Sequence, residues 1–325
     1  MTRDENLDTV RGIACILLVF YHVVGAGPNS GLRLAPDSGY TVFNETLAYV
    51  RMPLFTFLSG VVYAMRPVQR GNARRFTIGK LKRIAIPFVC LSLLFAVVQK
   101  LAPGTNGEKE WAEIPLTVIW PYTHLWFISA LLVIFAIVGV VDYFGLLREP
   151  TDIAAVTMIA ALLFIFRHGE PGIFAVNRAL YLLPFFLIGV AMKRFGWRWA
   201  ITCALLGLVS LEIDITIGAL CGIALLAWMP VVPALAKIGY FSYSIYLFHV
   251  FGTAASRISL GNVVGHPPTL LLIGTVWGIA IPIAIHMLVV RVPYLSWALL
   301  GARATRQAET PLPPQPDGAL ASRSA

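Results

Sequence analysis

The sequence predicts an all-α, polytopic membrane bundle of about ten transmembrane helices with both termini in the cytoplasm. Three observations predict it. Of 325 residues, 58% are hydrophobic and only 13% charged, about half the charged share of a soluble domain. Mean hydropathy is +0.77. The apolar residues also fall in successive runs, several near the ~20 residues that cross a bilayer. With so few charges, water cannot solvate the whole surface, and membrane lipid is the expected partner for the remainder.

The first run, Leu7 to Gly27, carries Arg11 and His22 inside it and has no clean small-residue cleavage site, which separates it from a signal peptide. The second is expected at 43–65 and the third at 84–101. The loop expected between them, 66–83, holds seven of the 25 basic residues: Arg66, Arg70, Arg74, Arg75, Lys80, Lys82 and Arg83. The positive-inside rule puts such a segment in the cytoplasm, and with it the N-terminus. It also suits anionic headgroups or a phosphate-bearing ligand. The net charge of +9 is thus explained by membrane topology, and no nucleic-acid partner is expected.

Residues 102–122, with Glu108, Glu110 and Glu113 against Lys109, read as an outer loop. Further spans are expected at 125–145, 151–167, 177–192, 198–213, 215–236, 238–256 and 269–291. Arg148, Lys193, Arg194, Arg198 and Lys237 then fall on the inner side, as do Arg303 and Arg306 of the tail. Arg167, His168 and Glu170 read as an exposed outer turn, and Glu212 and Asp214 as a solvated helix end. Pro87, Pro184, Pro230 and Pro282 interrupt spans, which a bundle tolerates where neighbours satisfy the freed backbone groups. One transmembrane domain, 1–301, is followed by a Pro-, Ala- and Ser-rich stretch, 302–325, expected to be a disordered cytoplasmic tail. Cys15, Cys90, Cys203 and Cys221 lie in apolar runs without ligand spacing, so they read as packing residues and no metal site is expected.

The chemistry sits where the membrane makes it costly. An ionisable side chain at bilayer depth costs about 2.5–3.5 kcal/mol on insertion scales, and the first span has two. Arg11 and His22 are eleven residues apart, three helical turns plus about 20°, which places them on one face roughly 16 Å apart along the axis. Arg11 would lie near the cytoplasmic mouth and His22 deeper. A neutral imidazole there can serve as a general base, and an arginine can hold a phosphate or carbonyl.

Arg11, ten intervening residues and His22 resemble the signature in the first helix of the acyltransferase 3 family of membrane acyltransferases. The likeness continues in MPLFTFLSG (52–60), HLWFISALL (124–132) and YFSYSIYLFHV (240–250), in the family's order and across almost the whole chain. Two departures stand out. Thr56 follows Phe55 where members often have a second Phe, and the extracytoplasmic hydrolase-like domain of some members is not expected here. The resemblance implies acyl transfer at a bacterial inner membrane. A cytoplasmic acyl-CoA, acetyl or succinyl, would be the co-substrate, no cofactor would be bound, and the acceptor would be a hydroxyl on a glycan or lipid-linked sugar. It makes His22 the essential histidine and Arg11 the essential basic residue.

The other candidates follow from these blocks. Arg74, Arg75, Lys82 and Arg83, with Arg11, are expected to attract the CoA phosphates. Ser59, beside Gly60, reads first as a helix-packing position and second as a substrate contact. His124 and Trp126 begin a span at the expected outer mouth, where Trp often anchors. Tyr243, Tyr246 and His249 recur at i, i+3 and i+6, broadly along one side of a helix, with His249 at a depth that reaches His22. The rival reading is a secondary transporter or lipid-linked sugar translocase whose path these polar groups line. It predicts repeated halves, and none is visible.

Overall fold

The computed structural model describes residues 4–25, 27, 29–105, 110–164, 172–210, 213–261 and 263–302, and every regular element among them is helical. Glu108, Lys109, Arg167, His168, Glu170, Glu212 and the tail from residue 303, with Arg303 and Arg306, lie outside the described residues.

Helix α1 spans Glu5–Val24. The Asp4 carboxylate caps it by accepting from the Leu7 amide, and Gly25 ends it at φ +94°, a left-handed-side value that favours glycine. The expected span at 43–65 is two helices, α2 (Gly39–Thr46) and α3 (Ala48–Met65). The expected basic loop is largely helical: α4 (Ala73–Lys80) runs through a π turn, Leu81–Ala85, into α5 (Ile86–Leu101). Pro87 has no N–H to offer the carbonyl of Arg83 four residues earlier. The Tyr243 hydroxyl donates to that carbonyl instead, at 2.9 Å.

Helices α6 (Trp126–Tyr143), α7 (Pro150–Leu163) and α8 (Val176–Phe195) follow. The expected span at 198–213 divides into α9 (Trp197–Leu206) and a 3-10 turn, Gly207–Ser210. The expected span at 215–236 stops early, because Pro230 and Pro233 end one helix and start another. These are α10 (Ile213–Trp228) and the short α11 (Pro233–Tyr240). Helices α12 (Ser242–Leu260) and α13 (Pro267–Val289) precede α14 (Pro293–Leu300), which the hydropathy pattern did not announce.

Among the described residues six stretches are long and apolar enough to cross a membrane: Glu5–Val24, Gly39–Met65, Ala73–Leu101, Trp111–Tyr143, Ile173–Phe195 and Pro267–Val289. The remaining long helices are shorter or, in α12, more polar. The polarity of α12 has a reason in its packing, since Ser244, Tyr246, His249 and Ser256 turn into the bundle.

Helix α1 is the hub, packed against α3, α11, α12 and α13. Small residues set the close crossings. A side chain on Gly60 of α3 would meet the Phe186 backbone of α8, and one on Gly189 of α8 would meet the Phe57 backbone of α3. Gly12 and Gly239 do the same for α1 and α11, against Leu235 and Asp8. Beside the α4 end of the bundle, Arg194 grips Asp142 with two hydrogen bonds of 3.0 and 2.7 Å, and Tyr63 donates to the same carboxylate at 2.7 Å. This partly buried pair, with Tyr63, ties α3, α6 and α8 together.

Candidate active site

Three imidazoles meet where α1 ends. His22 lies in the last turn of α1, His124 in the 3-10 turn Thr123–Leu125 before α6, and His249 midway along α12. Ring centres of His22 and His249 are 4.6 Å apart, those of His124 and His249 are 5.0 Å, and those of His22 and His124 are 6.1 Å. His124 and His249 are buried, at 3% and 0% exposure, whereas His22 is only half-buried. His22 is therefore the ring of the three most open to an incoming molecule.

Hydrogen bonds fix the protons on two of the rings. His249 Nδ1 faces the carbonyls of Ile245 and Tyr246 at 3.0 and 2.9 Å. Carbonyls only accept, so Nδ1 carries the hydrogen and Nε2 keeps its lone pair. That Nε2 is buried and has no hydrogen-bond partner. His124 takes the opposite tautomer. Its Nε2 donates to the Leu247 carbonyl at 3.2 Å, and Nδ1 faces the Thr123 hydroxyl at 3.5 Å. The Tyr246 hydroxyl in turn donates to the His124 carbonyl, holding the turn against α12.

Aromatic rings wall the cluster. Phe95 packs on His124 at 5.3 Å, and Phe127 and Phe55 pack on Tyr246 at 5.4 and 6.4 Å. An apolar wall of this kind keeps bulk water from a reacting centre. Among the described residues no group of His, Cys, Asp or Glu has an arrangement that would hold a metal ion.

The structure thus brings together His22, His124, Tyr246 and His249, and separates the other candidates from them. Arg11 shares the face of His22 but stands near the opposite end of α1, where it pairs with Asp8 at 3.1 Å. Tyr243 reaches the Arg83 carbonyl rather than the imidazoles, so the three α12 residues form a ladder from the basic helices to the cluster. Arg74, Arg75, Lys82 and Arg83 are exposed on α4 and the π turn. The Ser59 hydroxyl donates to Phe55 O at 2.8 Å within its own helix, in keeping with a packing position beside Gly60. Trp126 is half-buried against Phe127 and the Arg178 guanidinium, away from the cluster.

Two polar residues at the site escaped the sequence reading. Arg51, 6% exposed, donates to Asn44 O and Asn44 Oδ1 at 3.2 and 2.9 Å and lies 3.9 Å over the Tyr21 ring. Asn44, 2% exposed, donates to the Gly25 carbonyl at 3.1 Å. The signal was available: Arg51 is an ionisable residue inside an expected span, the same criterion that singled out Arg11.

A family model described as an acyltransferase domain matches residues 4–287. That range holds all three imidazoles and every helix packed around them. Neither a curated protein nor a solved structure matches the chain.

Proposed function

The chain belongs to the acyltransferase 3 family, and from that premise we propose that it is a multi-pass enzyme of a bacterial inner membrane that moves an acyl group from acyl-CoA to a hydroxyl of a glycan or lipid-linked sugar. The observation that carries this reading is the half-open His22 ring packed against a buried imidazole whose Nε2 lone pair is unpartnered.

The donor's phosphates are held by Arg74, Arg75, Lys82 and Arg83, with Arg11 near the same end of the bundle. Its thioester runs inward along the Tyr243–Tyr246–His249 side of α12. Neutral His22 takes the proton from the acceptor hydroxyl as the oxygen attacks the thioester carbonyl. A carbon–oxygen bond forms, the carbon–sulfur bond breaks, and the imidazolium returns its proton to the departing thiolate, so the products are the ester and CoA-SH. In a second route consistent with the same residues, His22 carries the acyl group briefly itself. In this reading His249 Nε2 accepts from the His22 N–H as the donor enters and orients its ring, with Nδ1 pinned to the α12 backbone.

Purified protein in proteoliposomes, supplied with acetyl-CoA or succinyl-CoA and a lipid-linked glycan extract, tests the class of activity. Free thiol appears and label enters the glycan if the protein is an acyltransferase. A transporter or translocase moves solute without releasing thiol, and that result would reject the proposal.

A further inference from the structure

Among the described residues Arg51 is a cation without a counter-anion. It is almost fully buried, and among the described residues no carboxylate pairs with it. Its two hydrogen bonds both leave from Nη1 to Asn44. That clamp, continued by Asn44 to the Gly25 carbonyl, explains why the side chain is rigid. It does not explain why a full charge is kept at this depth, since a neutral donor would serve the clamp at lower desolvation cost. An arginine fork fits a carboxylate with two parallel hydrogen bonds.

Its position says which carboxylate. The guanidinium is stacked 3.9 Å over Tyr21, and the Tyr21 ring centre is 4.9 Å from that of His22. Placed end to end, those steps hold the guanidinium within about 9 Å of the imidazole. In the route in which His22 takes the acyl group itself, a near-attack contact of about 3 Å at the carbonyl and a charge-assisted bond of about 2.8 Å at the far end fit within that limit. The remainder suits a chain of a few carbons. Arg51 also lies beyond His22 as seen from the basic helices, because Asn44 fastens it to the cap that ends α1. A donor threaded from α4 would reach His22 with its thioester and Arg51 with whatever the acyl chain carries at its tip.

Building on the acyl-transfer reading, we infer that the transferred group is a short dicarboxylic acyl group of succinyl size, and that Arg51 selects it by binding the free carboxylate. The same anionic chemistry is offered by the phosphate of a polyprenyl-linked acceptor, so the test includes that ligand.

Binding of succinyl-CoA, acetyl-CoA and a polyprenyl phosphate is measured on full-length protein in nanodiscs. A charge-assisted pair predicts a succinyl-CoA preference over acetyl-CoA of about 10–100-fold. Arg51→Met removes the preference by lowering succinyl-CoA affinity far more than acetyl-CoA affinity, whereas Arg51→Lys, which keeps a point charge, retains part of it. The Lys variant also guards against a Met variant that fails to fold. Equal wild-type affinities for the two donors would overturn the inference, as would Arg51→Met weakening both alike, which marks a structural clamp. Loss of polyprenyl phosphate binding alone would overturn it too, by assigning the anion to the acceptor. Succinyl-CoA preference without any thiol release would uphold the Arg51 assignment while refuting acyl transfer, so the two failures are distinguishable.

Discussion

A lone pair is useful to a neighbouring group only if its ring cannot turn away, and His249 is held by two carbonyls of its own helix. Removing the ring while keeping bulk therefore isolates its chemical part. His249→Leu is expected to lower kcat by about 10²-fold or more with little change in donor KM or melting temperature, as read by thiol release and a detergent melt. A parallel fall in stability would make His249 a packing residue instead. At this scale the sequence was informative where polarity and burial conflict. His22 and His249 stood out as polar groups inside apolar runs, and both meet in the structure. The pairing of His124 with them did not follow from spacing, because a 3-10 turn rather than a helix face aims that ring. Arg51 does not stand out in the sequence, because it lies one residue outside the MPLFTFLSG block.

Helix crossings decide how well those rings are held. Gly60 and Gly189 let α3 and α8 touch backbone to backbone, and α3 also carries Phe55 against Tyr246. Gly60→Leu is expected to cost about 1–3 kcal/mol or more through overpacking, seen as a lower melting temperature. Gly79→Leu, at a position where an added Cβ meets nothing within 4 Å, should be nearly silent. Equal melting of the two variants would deny the crossing its role. Element boundaries were legible only where hydropathy changes abruptly. The first span was plain, because apolar residues dominate from Leu7 to Gly27. The α2–α3 break, the helical character of 73–85 and the split at 229–232 were not, since each depends on prolines, on a π turn or on neighbours that donate to orphaned carbonyls. Tyr243 bonding to Arg83 across 160 positions is such a neighbour, and no local pattern announces it.

At the scale of the whole molecule, low charge and long apolar runs sufficed to name a helical membrane bundle. They did not fix how many helices cross it, because α7, α9 and α10 are short and α12 spends its apolar surface on a polar interior. What the bundle achieves is a sequence of chemistries along α1: exposed cations at one end, an aromatic-walled imidazole cluster at the other, and a rigid guanidinium just past it. Acyl transfer by this bundle depends on chemistry at His22. The most direct measurement is single-turnover release of CoA thiol from labelled acyl-CoA by wild type and His22→Ala at matched donor occupancy. If His22 carries that chemistry, the variant loses about 10³-fold or more, with donor affinity retained. Release at the wild-type rate from His22→Ala would contradict it.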